Sequence, residues 1–346
     1  MEGIDILSLD KSRLEEYITS IGHKAFRAKQ IFSWLHEKKV RSFDEMSNIS
    51  KELRETLSKQ CYIDYPKIIK TMTSQIDGTK KYLFEMNDGS LVESVFMIYH
   101  HGNSVCISSQ VGCRMGCTFC ASTIGGLKRN LSASQMLTQI YAIEQDTQKK
   151  ISNVVVMGTG EPLENMDNLL KFISIICDED GFNLSQRSIT VSTCGLADKI
   201  RELAKSKLQI TLALSLHAPD QKLREQIMPI ARKYSLDEVM DACRYYFDKT
   251  GRRITFEYSL IKGVNDSLQC AKKLIALVRG FNCHINLIPV NPVRETGYLR
   301  PDKSGANKFL ETLKKNNINA TLRREMGTDI DGACGQLRKR HIEEEI

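Results

Sequence analysis

Three cysteines stand at the spacing C-x3-C-x2-C in the segment VCISSQVGCRMGCTFCAS; they are Cys113, Cys117 and Cys120. Three thiolates on one loop can ligate three irons of a 4Fe-4S cluster and leave the fourth iron open to a non-protein ligand. A fourth cysteine would close that position, and a structural zinc would also require a fourth ligand. The motif therefore predicts a cluster with an open iron, while core cysteines or a zinc site remain the alternatives for the spacing alone.

A second segment, NVVVMGTGEPLEN, contains Gly158, Gly160 and Glu161. Glycines allow a ligand to approach the backbone closely, and the glutamate offers a carboxylate to an ammonium group. A G-x-G-E pattern is a weak signal by itself. In combination with the cysteine loop on the preceding strand, it becomes a specific one.

The elements that must position these residues repeat along the chain. From about residue 104, short β-branched apolar runs alternate with amphipathic helical patterns in six βα units. Parallel strands need helical crossovers, so we expect an α/β fold, a partial (β/α)6 barrel over residues 104–320. The loops that follow the strands form the active face of such barrels, and both segments follow strands.

Two smaller modules precede the predicted barrel. The segment AFRAKQIFSWLHEKK has apolar residues at i, i+3, i+4 and i+7, which predicts a helical module over residues 1–65. These apolar residues are Ala28, Ile31, Phe32 and Leu35. β-formers on both sides of the Asn-Asp-Gly sequence at 87–89 predict a β-hairpin connector over residues 66–103. The remaining residues, 321–346, form a C-terminal segment.

The composition limits the classes of protein to consider. The chain has 346 residues, of which 41% are apolar, and no stretch approaches eighteen consecutive apolar residues. Its first residues, MEGIDILSLDKSRLEE, are acidic and polar, unlike a signal peptide. We therefore expect a cytoplasmic protein without a membrane partner. In that compartment the 11 cysteines are better explained as ligands, catalytic thiols or core residues than as a disulfide framework.

The net charge of +7, from 49 basic and 42 acidic residues, suits a polyanionic partner without requiring one. Basic residues concentrate near both ends of the chain, where solvated helix faces explain them equally well. The two groups are Lys24, Arg27, Lys29, Lys38 and Lys39, and then Arg323, Arg324, Arg338, Lys339 and Arg340.

The cysteine motif and the GTGEP segment together resemble the radical S-adenosylmethionine (SAM) enzymes. The flanks CISSQVGC and GEPLEN, the segments VSTCG, LSLHAP and LIPVNP, and above all DIDGACGQL resemble the RlmN branch of the RlmN/Cfr RNA methyltransferases over nearly the whole chain. The resemblance implies two cofactors, a 4Fe-4S cluster and SAM, whose amino and carboxylate groups chelate the open iron. It also implies that the N-terminal module binds RNA.

Further site residues follow from this resemblance position by position. Besides Gly160 and Glu161, five residues match positions that contact SAM in the family. They are Ser192, Ser215, Leu216, His217 and Asn291. Cys334 matches the cysteine that carries the methyl group in this family, and Cys106 matches the partner thiol of that cysteine. Glu93 matches an acidic position that is assigned to proton transfer in the family. Without the resemblance, the two cysteines would be interpreted as small core residues and Glu93 as a solvated strand residue.

The implied reaction is methylation of carbon 2 of an adenosine in 23S rRNA, and of one in tRNA anticodon loops. That carbon lies between two ring nitrogens and is too electron-poor to attack the methyl group of SAM directly, so a radical route is needed. Cys334 as a thiolate takes a methyl group from one SAM, and a second SAM yields the radical that activates it. Cys106 removes the ring proton, and the two cysteines end as a transient disulfide. The partners are then the RNA, an electron donor and a reductant, and we expect a monomer.

Two local departures from the family pattern affect only the shape of the expected SAM pocket. Thr159 stands where many relatives have Met, and Cys194 stands where a residue other than cysteine is common. The sequence indicates no role for six cysteines, which are Cys61, Cys177, Cys194, Cys243, Cys270 and Cys283.

Two alternative functions remain at this point. A Cfr-type enzyme would methylate carbon 8 of the same adenine and confer antibiotic resistance, but such proteins tend towards GEALAN where this chain has GEPLEN. A non-catalytic RNA-binding protein with a structural metal would account for the basic termini. It would leave GTGEP and the pair Cys106 and Cys334 unexplained.

Overall fold

A computed structural model describes residues 3–291 and 297–330. The N-terminal module consists of three helices and a short parallel strand pair, β1 with β2. Its elements are β1 (Ile4–Asp5), α1 (Lys11–Ser20), α2 (Phe26–His36), α3 (Lys51–Gln60) and β2 (Cys61–Tyr62). The four predicted apolar residues of α2 are all buried, which confirms the helical spacing. The Asp10 carboxylate begins α1 by accepting the N–H of Arg13 at 2.9 Å.

The connector forms antiparallel strands of a larger sheet. Its strands are β3 (Lys67–Thr73), β4 (Lys80–Glu85) and β5 (Leu91–Tyr99), followed by β6 (Gly102–Ile107). β4 and β5 form the predicted hairpin around the Asn-Asp-Gly turn, where Gly89 has φ +74°. β5 also pairs with β6, so the connector and the first predicted barrel strand share one sheet.

The remaining strands and helices alternate as the sequence predicts. The strands are β7 (Gln110–Gly112), β8 (Leu127–Asn130), β9 (Ile151–Val156), β10 (Ile189–Thr193), β11 (Thr211–Ser215), β12 (Ile254–Leu260), β13 (Cys283–Pro289) and β14 (Ala320–Leu322). The helices are α4 (Ala133–Thr147), α5 (Met166–Cys177), α6 (Ala197–Lys205), α7 (Gln221–Ile227), α8 (Leu236–Thr250), α9 (Leu268–Val278) and α10 (Lys303–Lys315).

One sheet of ten strands organises the molecule, in the order β14-β13-β12-β11-β10-β9-β6-β5-β4-β3. It is parallel from β14 to β6 and antiparallel from β6 to β3. The predicted α/β class is confirmed, and each of the six predicted strands is present. Several short elements were not predicted from the sequence: β1, β2, β7, β8, β14 and α7.

Charged and polar contacts fasten the N-terminal module to α4 and to the loop that follows α5. Lys29 pairs with Asp180 at 2.8 Å, and Lys39 pairs with Glu144 at 2.5 Å. Buried His36 contacts the Tyr141 hydroxyl at 3.0 Å through Nδ1, and burial lowers the pKa of His36 to about 3. Part of the N-terminal basic cluster thus serves attachment within the chain. Within the described ranges, no helix combines the length and apolar character needed to cross a membrane.

Candidate active site

One cavity lies where β9, β10 and β11 end, and the cysteine loop after β7 covers it. Cys113, Cys117 and Cys120 all line this cavity. It is also lined by Gly158, Gly160 and Glu161 of the GTGEP segment and by Ser192, Cys194, Ser215 and His217 of the next two strand ends. The fold therefore brings the two motifs recognised in the sequence to one place.

The cysteine loop is held closed at both ends. β7 and β8 pair antiparallel across its base, and the N–H of Cys113 donates to the carbonyl of Gly126 at 3.1 Å. Within the loop, the N–H of Cys120 donates to the carbonyl of Cys117 at 3.1 Å. Burial raises the pKa of Cys113 to about 12 and raises the pKa values of Cys117 and Cys120 as well. Binding of iron by these thiols would therefore release protons.

Gly158 and Gly160 form a wall that tolerates no larger residue. A Cβ on Gly158 would lie 2.7 Å from the carbonyl oxygen of Ile107. Gly160 has φ +112°, and a Cβ there would lie 2.6 Å from the Cβ of Gln110. The Gln110 side chain also accepts the N–H of Glu161 at 2.8 Å. The backbone of this segment is thus fixed against β7 with its glycines towards the cavity.

The Glu161 carboxylate is buried and engaged by backbone groups. Its oxygens accept the N–H of Leu163 at 3.0 Å and the N–H of Cys194 at 2.7 Å. Burial raises the pKa of Glu161, and the hydrogen bonds from Cys194 and Leu163 oppose that shift. The side chain therefore joins the ends of β9 and β10, in addition to lining the cavity.

Hydroxyl and imidazole groups complete the wall opposite the cysteines. The hydroxyls of Ser192 and Ser215 lie 3.3 Å apart on neighbouring strand ends. His217 has φ +55°, and its Nδ1 accepts the N–H of Ser259 at 3.0 Å. This contact places the ring proton on Nε2, and burial lowers the pKa of His217 to about 3, so the imidazole is neutral. Phe119 of the cysteine loop packs edge-on against this ring, with centroids 5.0 Å apart.

Two of the predicted SAM-contacting residues lie away from the cavity. Leu216 is fully buried, and its N–H donates to the carbonyl of Glu257 at 3.0 Å. Asn291 is exposed, and its Oδ1 accepts from Arg300 at 2.9 Å. Asn291 directly precedes the undescribed residues 292–296. Contact of these two side chains with SAM stays a prediction.

Cys106 lies on β6, next to the cavity. Cys106 pairs in register with Val155 of β9, and the next two residues, Val156 and Met157, line the cavity. Burial raises the pKa of Cys106 to about 11, while the positive charge of Arg323 opposes the shift. This thiol is therefore protonated at neutral pH.

Glu93 is part of a buried ion pair beside Cys106. Its carboxylate lies 3.0 Å from the Nζ of Lys81, and the exposed fractions of the two side chains are 2% and 0%. In the β4–β5–β6 register, Lys81 pairs with Val95 and Val95 pairs with Cys106. Since side chains alternate along strands, Lys81, Glu93 and Cys106 share one face of the sheet. Glu93 is thus not a solvated strand residue.

Cys334 lies outside the described residues, as does all of the segment from residue 331. The residues just before it are anchored on the turn between β3 and β4. Asp329 accepts the Ser74 hydroxyl at 2.6 Å and the N–H of Gln75 at 2.9 Å. From the turn, Asp77 accepts the N–H of Gly327 at 2.9 Å. The antiparallel half of the sheet thereby fixes where the undescribed segment begins.

The donor set fits an iron–sulfur cluster. Three thiols converge on one cavity beside two glycines at which an added Cβ would collide with Ile107 or Gln110. Among the described residues, no three His, Cys, Asp or Glu side chains are placed to hold a single metal ion. No disulfide joins the ten cysteines of the described ranges, all of which are free.

Sequence reasoning missed several residues that build the site. They are Lys81, Gln110, Arg224, Asp77 and Asp329. Each acts through a partner distant in sequence, so no local motif marks it. The strand period in KKYLFE could have indicated that Lys81 shares a face with Leu83, but not that Lys81 itself is buried.

The fold and the cavity define a radical SAM protein. Residues 107–273 match the model of the Radical SAM superfamily. The chain is also similar to the crystal structure of a radical SAM methyltransferase from Sphaerobacter thermophilus, with 40% identity, a TM-score of 0.92, and coverage of 96% of this chain and 98% of that one.

More specific matches narrow this class. Residues 4–63 match the ribosomal RNA large subunit methyltransferase N-terminal domain. The chain is 58% identical to a probable dual-specificity RNA methyltransferase RlmN of Lachnospira eligens, over 98% of this chain and 97% of that protein. It is 55% identical to the protein of the same name from Lachnoclostridium phytofermentans, over 99% and 96%. The chain belongs to the RlmN family of radical SAM RNA methyltransferases.

Proposed function

We propose that this protein methylates carbon 2 of an adenosine in 23S rRNA, in the peptidyl transferase centre, and of an adenosine in tRNA anticodon loops. The observation that carries the proposal is the position of Cys106, a thiol beyond the three-cysteine set, next to the cavity that those three line. The dual-specificity name of the relatives supports two RNA substrates.

The cavity would hold both cofactors. Cys113, Cys117 and Cys120 would ligate three irons of the 4Fe-4S cluster. The wall for SAM would consist of Gly160, Glu161, Ser192, Ser215 and His217, extended by Leu216 and Asn291. When bound, the cluster and SAM supply the electron and the carbon radical needed to activate a methyl C–H bond. Neutral His217 can donate from Nε2 without adding a positive charge to this wall.

The chain supplies two thiols of different function. Cys334 would carry the one-carbon unit as a thioether, because carbon 2 of adenine does not attack an electrophilic methyl group. Cys106 would first give up its thiol proton and, as a thiolate, would accept the proton from carbon 2 once the new carbon–carbon bond is made and the unpaired electron of the adduct has returned to the external electron carrier. Release of the product would follow when the Cys106 sulfur, again deprotonated, attacks the Cys334 sulfur. The bond from Cys334 to the transferred carbon would then break, that carbon would take up a proton to become the methyl group, and the two cysteines would remain as a disulfide that an external reductant must cleave.

Glu93 would accept or return protons beside Cys106. Its ion pair with Lys81 is buried and lies on the same face of the sheet as the thiol. A charged group held this way can exchange a proton without reorganising solvent.

The RNA must present an unstacked base to reach the cavity, so recognition of loops and shape is expected more than of a helix. We propose that the N-terminal module, residues 1–65, helps to bind the RNA and that residues 66–103 form the connector to a catalytic barrel over 104–320. Residues 321–346 would then present Cys334. Phosphate contacts would come from lysines of the module that remain outside its ion pairs, such as Lys24 and Lys38.

Nucleoside mass spectrometry tests the proposal directly. A 23S rRNA fragment and a tRNA are incubated without oxygen with the reconstituted protein, SAM and an electron donor, and 2-methyl- and 8-methyladenosine serve as standards. We expect 2-methyladenosine from both RNAs, and none from Cys334→Ala. A product at carbon 8 would assign the protein to the Cfr type. SAM cleavage without any methylated adenosine would refute the RNA substrate.

A further inference from the structure

Arg224 is a fully buried arginine behind the cavity wall. It lies on α7, directly after the loop that follows β11, and its exposed fraction is 0%. Arginine is almost never fully buried unless it is paired, and it remains protonated even where burial lowers its pKa, as it does here. A permanent positive charge therefore lies inside the protein at this point.

The guanidinium binds the backbone of the two strand ends that form the wall. Nη2 donates to the carbonyls of Cys194 at 2.6 Å and Ser215 at 3.4 Å. Nε donates to the carbonyl of Leu216 at 3.3 Å. Nη1 is buried and has no hydrogen-bond partner in the described parts of the chain. One side chain thus connects the end of β10 to the end of β11.

The Cys194 peptide links this arginine to Glu161. Its carbonyl accepts from Arg224 at 2.6 Å, and its N–H donates to the Glu161 carboxylate at 2.7 Å. A continuous set of hydrogen bonds therefore runs from the GTGEP segment through Cys194 to the loop of Ser215 and Leu216. These are the segments that carry most of the wall residues.

The positive charge of Arg224 lacks a directly bonded anion. No carboxylate in residues 3–291 or 297–330 forms an ion pair with it, and Glu161 acts only through the intervening peptide. Cys194, whose carbonyl the guanidinium binds, lines the same cavity as Cys117 of the cysteine loop. Leaving a buried charge unpaired is costly. An anionic group in the cavity would supply the missing counter-charge.

We propose that Arg224 is a positioning residue that fixes the ends of β10 and β11 and whose buried charge stabilises the reduced form of the cluster. The inference rests on the proposed cluster site. A cluster held by three thiolates becomes more negative on reduction, and a nearby fixed cation in a low-dielectric interior stabilises the more negative state. Neutralising Arg224 should therefore lower the midpoint potential and make reduction harder.

The experiment is a redox titration of the reconstituted cluster, followed by electron paramagnetic resonance. It compares the wild type with Arg224→Met, which is neutral, and Arg224→Lys, which keeps the charge but not the forked donors. Arg232→Met is the matched control, because Arg232 lies nearby on the surface and solvent screens its charge. Should Arg224→Met fail to fold, Arg224→Gln provides the neutral variant with amide donors. Thermal unfolding of the cluster-free proteins measures separately how much stability is lost with the hydrogen bonds from Arg224 to the ends of β10 and β11.

We expect a negative shift of the midpoint potential in Arg224→Met or Arg224→Gln, and a near wild-type value in Arg224→Lys and Arg232→Met. A wild-type potential in the neutral variant, or an equal shift in Arg224→Lys, would overturn the inference. Failure of the wild type itself to assemble a 4Fe-4S cluster would instead refute the proposed function, so the two failures are distinguishable.

Discussion

The two halves of the ten-stranded sheet contribute different chemistry. The parallel half, at the ends of β9 to β11, provides a cavity lined by thiols, glycines, hydroxyls and a neutral imidazole. The antiparallel half provides a buried ion pair, Lys81 with Glu93, beside the separate thiol of Cys106. It also anchors the start of the C-terminal segment. We therefore predict that the proposed cofactor binding and the proposed proton transfer can be separated by mutation.

The largest expected effect is complete loss of cluster and activity in Cys113→Ala, because three thiolates are the least that hold the cluster. Cys106→Ala should keep the cluster and SAM cleavage but leave the RNA attached to the protein, since no thiol accepts the ring proton. Iron content, 5'-deoxyadenosine and a denaturing gel measure the three outcomes. Loss of the cluster in Cys106→Ala would show that the two halves are not separable.

Removing one partner of the buried ion pair should destabilise the fold strongly. Lys81→Met leaves the Glu93 carboxylate buried without its cation, at a cost of about 3 kcal/mol in the free energy of unfolding. Urea unfolding of the cluster-free protein measures this, and adding Glu93→Leu should restore most of the stability. Lys80→Met is the control, because its partly exposed pair with Asp146 should contribute less than about 1 kcal/mol. Equal costs for both lysines would contradict the prediction.

The rate at which the Cys106 thiol is alkylated should keep rising at pH values above the pKa of an ordinary cysteine. Its pKa of about 11 means that the thiolate fraction grows about tenfold per pH unit below that value. Alkylation by iodoacetamide, followed at this peptide by mass spectrometry, should accelerate about 100-fold from pH 7 to pH 9. The alkylation rate of free cysteine, with a pKa of about 8.5, should level off above pH 9, and a levelling of the Cys106 rate at that pH would contradict its raised pKa.

Gly160→Ala should weaken SAM binding by about tenfold or more, because the positive φ and the contact with Gln110 both oppose a side chain. Equilibrium dialysis with the reconstituted protein measures the affinity. Gly280→Ala is the matched control, since its φ is +82° and a Cβ added there would meet nothing within 4 Å. Both variants share the backbone strain, but only Gly160 lines the cavity and contacts Gln110, so only Gly160→Ala should lose affinity for SAM.

The smallest expected effect concerns the anchor of the C-terminal segment. Asp329→Ala removes the contacts with Ser74 and Gln75, so methylation of Cys334 should fall by about fivefold while SAM binding stays unchanged. Peptide mass spectrometry measures the S-methyl product. Asp88→Ala, in the other turn of the antiparallel half, should leave methylation at the wild-type level.

Local sequence signals predicted the parallel half well. The βα alternation indicated each of the six strands, the cysteine spacing indicated the loop, and the glycines indicated the wall, because each signal lies within a few adjacent residues. The resemblance to the RlmN/Cfr family then indicated Cys106, Cys334 and Glu93, for which the residues alone favoured a structural interpretation.

The partners of these residues could not be predicted in the same way. Lys81 meets Glu93 only through the β4–β5 register, and Arg224 meets Cys194 only after α7 folds back on the sheet. The burial of Arg224 depends on packing from every side, and a basic residue on a short helix otherwise indicates solvent exposure. Single-sequence periodicity carries no information on such tertiary pairs.

The pairing of β5 with β6 has a consequence for how the chain can be divided. A fragment beginning at residue 104 would contain the whole radical SAM match but would expose the edge of β6, with its row of unpaired N–H and C=O groups. Such an edge is a template for intermolecular strand pairing. The catalytic half would therefore tend to aggregate when expressed without the connector, and the protein is best regarded as one cooperative folding unit across residue 104.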